Sequence, residues 1–178
     1  MDKFGTLRIF SWYVSLRCDG VSAHLLVQGY KHYISKRVDP LFPFGFGLSY
    51  TTFALSDLSV TQPVGADFIF TVSVKVTNTG FVQGSEVVQA YLSPASTTKL
   101  THPTLTLRGF GKARNLAAGK HQIVEVKLDR YALSYWCAVE KRWKIESGTY
   151  TLFVGTSSVN LPLMADVLVE KQTYWDGI

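Results

Sequence analysis

The chain has 178 residues, 47% of them hydrophobic and 17% charged, which excludes an intrinsically disordered protein and fits a single folded domain. Lysine and arginine outnumber the acidic residues by 18 to 13, but they are dispersed along the chain. We therefore predict a solvated basic face and no nucleic-acid partner. The 11 Phe, 9 Tyr and 4 Trp residues favour β structure.

The first 24 residues show neither a helical nor a strand periodicity. An apolar run at residues 9–16 follows Lys3 and Arg8, and residues 21–23 resemble a signal-peptide cleavage site. The run is short and contains two serines, so residues 1–23 are only a weak signal-peptide candidate and the localisation stays open. No apolar run approaches the length of a membrane span, and we predict no membrane partner.

Residues 40–53 read PLFPFGFGLSYTTF, an unusual combination of turn-forming and apolar residues. Proline and glycine break regular elements, because one fixes φ and the other frees it. Phe42, Phe44 and Phe46 are large apolar side chains that favour burial. The stretch is therefore predicted to be a linker that is buried against another surface.

From residue 51 onward the chain reads as short strands separated by turns. Residues 68–77 alternate strictly between apolar and mostly polar side chains, which is typical of a strand with one buried face. Shorter alternating sets are Val88, Ala90, Leu92; Val124, Val126, Leu128; and Tyr150, Leu152, Val154. Weaker candidates are residues 53–60, 105–110 and 167–170, and residues 129–134 predict a helical turn or a sharp corner. The pattern indicates an all-β, immunoglobulin-like sandwich of about seven strands.

The sequence shows no catalytic, cofactor or metal site. Its 13 carboxylates fall mostly at turns or on polar strand faces, and its four histidines lack metal-ligand spacing. Neither a Gly-x-Ser-x-Gly elbow nor a phosphate-binding loop occurs. Cys18 and Cys137 form no disulfide framework, and Cys137 is predicted to be a buried free thiol.

Trp136 and Trp143 have two interpretations. Buried tryptophan is a normal feature of such sandwiches, so core packing is favoured. The alternative is a platform on which a sugar ring stacks.

The stretch DPLFPFGFGLSYTTF (39–53) closely resembles the junction that leads into the C-terminal fibronectin type III-like domain of glycoside hydrolase family 3, which includes β-glucosidases and β-xylosidases. The resemblance continues through LLVQGYKHY (25–33), VSVKVTNTGFVQGSEVVQAYLS (72–93), LRGFGKARNLAAG (107–119) and KIESGTYTLFVGTSS (144–158). It implies an unmatched segment at 1–24, a remnant of a preceding α/β domain with the junction at 25–50, and a fibronectin type III-like sandwich at 51–178.

The resemblance also implies that the catalytic groups lie elsewhere. In the family the nucleophilic Asp and the acid/base Glu belong to domains upstream of the matched region, and a barrel alone takes about 250 residues. The chain is therefore expected to be an inactive accessory or structural domain without cofactor or metal. Its partner is expected to be the catalytic domains of a glycosidase, or another protein.

The junction is expected to dock on this partner. The candidate interface residues are Phe42, Phe44, Phe46, Leu48 and Tyr50. Each phenylalanine contributes about 1.5–3 kcal/mol if it is fully buried there. Without the partner, Phe44 is predicted to be the most exposed of them.

Three alternatives remain open at this point. One is a carbohydrate- or cell-wall-binding module that uses Trp136 or Trp143. Another is a protein–protein adhesion module that uses the patch at 42–46. The last is a fragment of an intact β-glucosidase that hydrolyses O-glycosyl bonds.

Overall fold

The computed structural model describes residues 28–62, 68–98 and 104–177. The strands are β1 (Phe53–Val60), β2 (Phe70–Asn78), β3 (Gly84–Leu92), β4 (Thr106–Leu116), β5 (His121–Leu128), β6 (Tyr135–Cys137), β7 (Arg142–Ile145), β8 (Gly148–Gly155), β9 (Leu163–Val169) and β10 (Thr173–Trp175), and the helices are α1 (Tyr30–Lys36) and α2 (Arg130–Leu133). The signal-peptide candidate and Cys18 lie outside the described residues. Neither helix of the described part is long and apolar enough to cross a membrane.

The strands form three antiparallel sheets. Two of them, β1-β2-β5 and β4-β3-β8-β9, enclose the hydrophobic core, and β10-β7-β6 is a small sheet beside them. The prediction of an all-β sandwich is confirmed. The described residues contain ten strands rather than about seven, because the short strands β6, β7 and β10 were not predicted.

The core consists of the alternating side chains that the sequence predicts. Phe70, Val72, Val74 and Val76 of β2 are at most 1% exposed, and the inward sets of β3, β5 and β8 are buried with them. Phe68 was predicted to share this strand. It has a positive φ of 50°, however, and the strand begins at Phe70.

The weaker strand predictions mark real strands. Residues 53–60 coincide with β1, whereas β4 and β9 are longer than predicted. Gly109 and Gly111 interrupt the alternation of apolar and polar side chains in β4. Glycine is needed there because β4 passes close to the side chains of β5. A Cβ at Gly109 would lie 2.6 Å from the Val126 side chain, and one at Gly111 would lie 2.5 Å from Val124.

The predicted corner at residues 129–134 is the single turn α2. The Asp129 carboxylate accepts a hydrogen bond from the Tyr131 backbone N–H, as an N-cap does. Cys137 is a free thiol but is only half-buried, so its predicted burial is wrong. The reason is its place in β6, which is an edge strand of the small sheet.

Candidate docking surface

The outer face of β3 is covered by α1 and by residues 40–51, which we call the junction. The Tyr30 ring of α1 lies 5.8 Å from the Tyr91 ring in an edge contact and 5.1 Å from the Phe44 ring. The Tyr30 hydroxyl accepts a hydrogen bond of 2.8 Å from the Leu107 backbone N–H. Consequently Tyr91 is fully buried although it points away from the sandwich core.

Gly45 lies directly on the buried side chain of Gln89. Its φ is +83°, and a Cβ at this position would lie 2.1 Å from the Gln89 Nε2 atom. The amide cannot move aside freely, because its Nε2 donates to the Thr156 carbonyl at 2.7 Å and its Oε1 accepts from the Tyr91 hydroxyl at 2.6 Å. Burial raises the pKa of Tyr91 well above its ordinary value, and electrostatic repulsion from the neighbouring Tyr30 hydroxyl adds a smaller increase. The Tyr91 hydroxyl therefore stays a donor.

The junction has two further anchors on the sandwich, one through the main chain of Phe44 and one through the side chain of Thr51. The Ser158 N–H donates to the Phe44 carbonyl at 2.8 Å, and the Phe46 N–H closes a turn on the Pro43 carbonyl at 2.9 Å. At its far end the Thr51 hydroxyl donates to the Asn78 Oδ1 atom at 2.6 Å. The junction is thus fixed to the sandwich by its main chain at Phe44 and by the side chain of Thr51.

Asn78 is the buried centre of the far anchor. Its Nδ2 donates to the carbonyls of Val82 and Leu116, both at 2.8 Å, and its Oδ1 also accepts from the Gly80 N–H at 3.0 Å. All the hydrogen-bonding capacity of a fully buried amide is therefore used. The sequence marks the Asn-Thr-Gly stretch as a turn but does not reveal this role.

The candidate interface side chains point away from the sandwich. Tyr50 is 99% exposed and Leu48 94%, and Phe42 and Phe46 are also exposed, with their rings 5.4 Å apart. The prediction that Phe44 would be the most exposed is wrong. Its ring packs against Tyr30, and half of it remains accessible.

An apolar groove separates α1 from the junction. It has a volume of about 560 Å³ and is lined mainly by the apolar side chains of Tyr33, Ile34, Val38, Leu41 and Val159. Exposed apolar residues continue onto the neighbouring strands. Phe110 of β4 is the register partner of Gln89, and Met164 of β9 is the partner of Phe153.

We call this whole region the docking surface. It comprises α1, residues 40–51 and the outer face of the four-stranded sheet. Phe110 and Met164 were missed as members of it, because only the strand register places them beside the junction.

The two candidate sugar-stacking residues lie together. The Trp143 ring stacks on Trp175 at 5.8 Å and meets the Tyr131 and Trp136 rings edge-on at 5.5 and 5.9 Å. Trp175 is buried, and its Nε1 donates to the Ser134 hydroxyl at 3.0 Å. One face of Trp143 is therefore occupied by the protein itself, whereas Trp136 is 41% exposed.

A polar cluster lies beside this aromatic group. The Glu146 carboxylate accepts from the Tyr135 hydroxyl and the Lys144 ammonium, both at 3.0 Å. Burial alone would raise the pKa of Glu146, but Thr98, Lys144 and Tyr135 together lower it. Burial raises the pKa of the neighbouring Tyr150 to about 12.

The cavity next to this cluster does not have the composition of a glycosidase site. It measures only about 50 Å³, and Glu146 is the single carboxylate that lines it. Glycoside hydrolysis requires a pair of carboxylates across a pocket. Among the described residues no group of three or more His, Cys, Asp or Glu side chains could hold a metal ion.

Comparison with known proteins finds a domain family and several β-glucosidases that are similar to this chain. Residues 86–158 match the family model described as "Fibronectin type III-like domain". The chain is 39% identical over 153 residues to a probable β-glucosidase H from Aspergillus fumigatus, with 84% of this chain and 18% of the relative covered. It is 40% identical over 147 residues to thermostable β-glucosidase B from Acetivibrio thermocellus, with 82% and 19% covered.

A solved structure gives the same result. The β-glucosidase from Kluyveromyces marxianus, in complex with glucose, matches with a TM-score of 0.76 and 40% identity, covering 85% of this chain and 18% of that protein. The chain therefore spans less than a fifth of the length of these relatives.

Proposed function

The chain carries a fibronectin type III-like domain resembling that of the family 3 β-glucosidases, and from this premise we propose that it is a non-catalytic accessory domain that docks on glycosidase catalytic domains through the docking surface. Residues 51–178 are the sandwich in this proposal, and residues 25–50 connect it to the preceding part of such an enzyme. In this proposal the catalytic groups belong to the partner.

One observation supports this role above the others. The junction is fixed to the sandwich by the Gly45–Gln89 contact, the main-chain hydrogen bond of Phe44 and the Thr51 hydroxyl, whereas its large apolar side chains are exposed. A linker that merely folded back on its own domain would bury those side chains. Exposed and contiguous apolar side chains on a fixed backbone are typical of a protein interface.

The test is a complementation experiment with the Kluyveromyces marxianus β-glucosidase. The segment that this chain matches is removed from that enzyme, and the truncated enzyme is produced with and without the present chain in the same cells. We expect hydrolysis of an aryl β-glucoside in the soluble fraction only when the chain is present, together with co-purification of the two proteins. Activity that does not depend on the chain, or no activity in either case, would contradict the proposal.

Two matched variants show whether docking uses the proposed residues. In Phe42→Ser/Phe46→Ser the exposed rings are lost, and we expect complementation to disappear. Ile123→Ser is the control, because Ile123 is 52% exposed, close to the 50% of Phe46, but lies on the outer face of the other sheet. Equal loss in both variants would place the interface elsewhere.

Carbohydrate binding at Trp136 is a second candidate function. The exposed part of its ring, beside a cluster of hydrogen-bonding groups, favours it. Titration with a soluble β-glucan should quench tryptophan fluorescence in the unmodified chain and less in Trp136→Ala. Unchanged fluorescence would exclude this function for the glucan used.

A further inference from the structure

Basic residues surround the apolar centre of the docking surface. The helix α1 contains Lys31 and Lys36, Arg37 follows it directly, and it has no acidic residue. On β4, Lys112 is the register partner of Val87, which places it on the same sheet face as Phe110. We call the five residues Lys31, Lys36, Arg37, Arg108 and Lys112 the cationic rim.

Two members of the rim lie close to each other. The hydrogen bond between the Tyr30 hydroxyl and the Leu107 N–H brings the next residues, Lys31 and Arg108, into one neighbourhood. Burial, and then repulsion by the Arg108 guanidinium, lowers the pKa of Lys31. In the described part of the chain, the ion pairs that form involve Lys75, Arg142 and Lys144 and none of the rim residues.

The charges on the opposite side of the sandwich are balanced instead. On the β1-β2-β5 sheet, Lys75 pairs with Asp57 at 3.2 Å. Glu125 and Lys127 alternate on the outer face of the adjacent β5. The docking surface also carries two carboxylates, Asp39 in the groove and Asp166, the register partner of Thr151 on the outer face. The five residues of the cationic rim outnumber them, so this surface keeps an excess of positive charge.

We infer that the partner protein presents carboxylates to Lys31 and Lys112, arranged around an apolar patch that covers the apolar centre of the docking surface. This inference rests on the proposed docking role, and its partner is the remainder of a β-glucosidase. Opposite charges at an interface accelerate association and select the correct partner. A second copy of this chain is a poor occupant, because its own cationic rim would face the first one.

The experiment uses the purified pair of this chain and the truncated Kluyveromyces marxianus β-glucosidase. Association rates and Kd are measured at about 0.05 M and about 0.5 M NaCl, because salt screens charges that are exposed to solvent. The variants are Lys31→Glu and Lys112→Glu, and the control is Lys127→Glu on the opposite outer face. Circular dichroism and Tm verify that all three variants are folded.

At low salt we expect each rim variant to bind roughly three- to tenfold more weakly, chiefly through a slower association rate, with a smaller difference at high salt. Lys127→Glu should stay within about twofold of the unmodified chain. If the rim variants behave like Lys127→Glu while the unmodified chain binds, the inference is wrong and the docking role stands. If the unmodified chain does not bind at all, both are wrong.

Discussion

The two outer faces of the sandwich, one on the β1-β2-β5 sheet and one on the β4-β3-β8-β9 sheet, have different surroundings. The three-stranded sheet presents Thr71, Ser73 and Lys75 together with the charged side chains of β5, so it is suited to water. The four-stranded sheet presents Gln89 and Tyr91 to α1 and the junction, which cover them. The comparison teaches that burial on both sides of one sheet distinguishes the side of the domain to which we assign docking.

The largest expected effect concerns the anchor that joins the junction to the end of β2. Asn78→Ala leaves the Val82 and Leu116 carbonyls and the Thr51 hydroxyl without their buried partner. We expect a loss of about 3 kcal/mol of unfolding free energy, or roughly 10 °C in Tm. Asn160→Ala removes an exposed amide with one side-chain bond, and it should cost less than about 1 kcal/mol. Similar losses in chemical denaturation would contradict the anchoring role.

A smaller loss should follow from disturbing the contact between the junction and β3. Gly45→Ala places a methyl group against the fixed Gln89 amide and also imposes a side chain on a φ of +83°. Gly119→Ala carries only the second penalty, because its φ is +70° and nothing lies within 4 Å of a Cβ there. We expect about 2–3 kcal/mol for Gly45→Ala and about 1 kcal/mol for Gly119→Ala. Equal values in urea unfolding would mean that the junction does not press on the sheet.

The third prediction concerns pH and the polar cluster around Glu146. The folded protein lowers the pKa of Glu146, so the ionised carboxylate is the stabilising form. Its contribution is complete above the ordinary pKa of a glutamate and is lost as the pH falls through the lowered value. Between about pH 5 and pH 3 the Tm of the unmodified chain should therefore fall more steeply than that of Glu146→Gln. Parallel curves would show that Glu146 carries no such linkage.

The smallest effect is expected for the exposed side chains that our proposal assigns to a partner interface. Phe42→Ser/Phe46→Ser removes exposed rings, so the isolated chain should lose less than about 1 kcal/mol of stability, as for other surface substitutions. Ile123→Ser should behave alike. A large loss only in the phenylalanine variant, seen by thermal unfolding, would mean that these rings belong to the core of the domain.

The sequence predicts those parts of the fold in which one strand face meets water. In β2, Val72 and Val74 alternate with Ser73 and Lys75, so the buried face is visible from the pattern alone. In β3 the outer residues Gln89 and Tyr91 are buried as well, and this depends on α1 and Gly45 rather than on periodicity. The short strands around Trp143 and Trp175 are three or four residues long, too short for a periodic signal.

The candidate docking surface was partly predictable from the sequence. The density of apolar residues next to Pro and Gly marks residues 40–50 as unusual, and most of their apolar side chains are exposed in this chain. Their burial against a partner stays a prediction. Which of them is covered could not be deduced, because Phe44 meets Tyr30 only in three dimensions. Phe110 and Met164 join the surface through strand register, which requires the complete sheet.

The most direct test is hydroxyl-radical footprinting of the chain, free and bound to the truncated Kluyveromyces marxianus β-glucosidase. We expect protection of Phe42, Phe46 and Met164 in the complex, with Ile123 on the opposite face unchanged. Protection confined to the outer face of the β1-β2-β5 sheet, or no protection in a complex that has formed, would contradict the assignment of the docking surface.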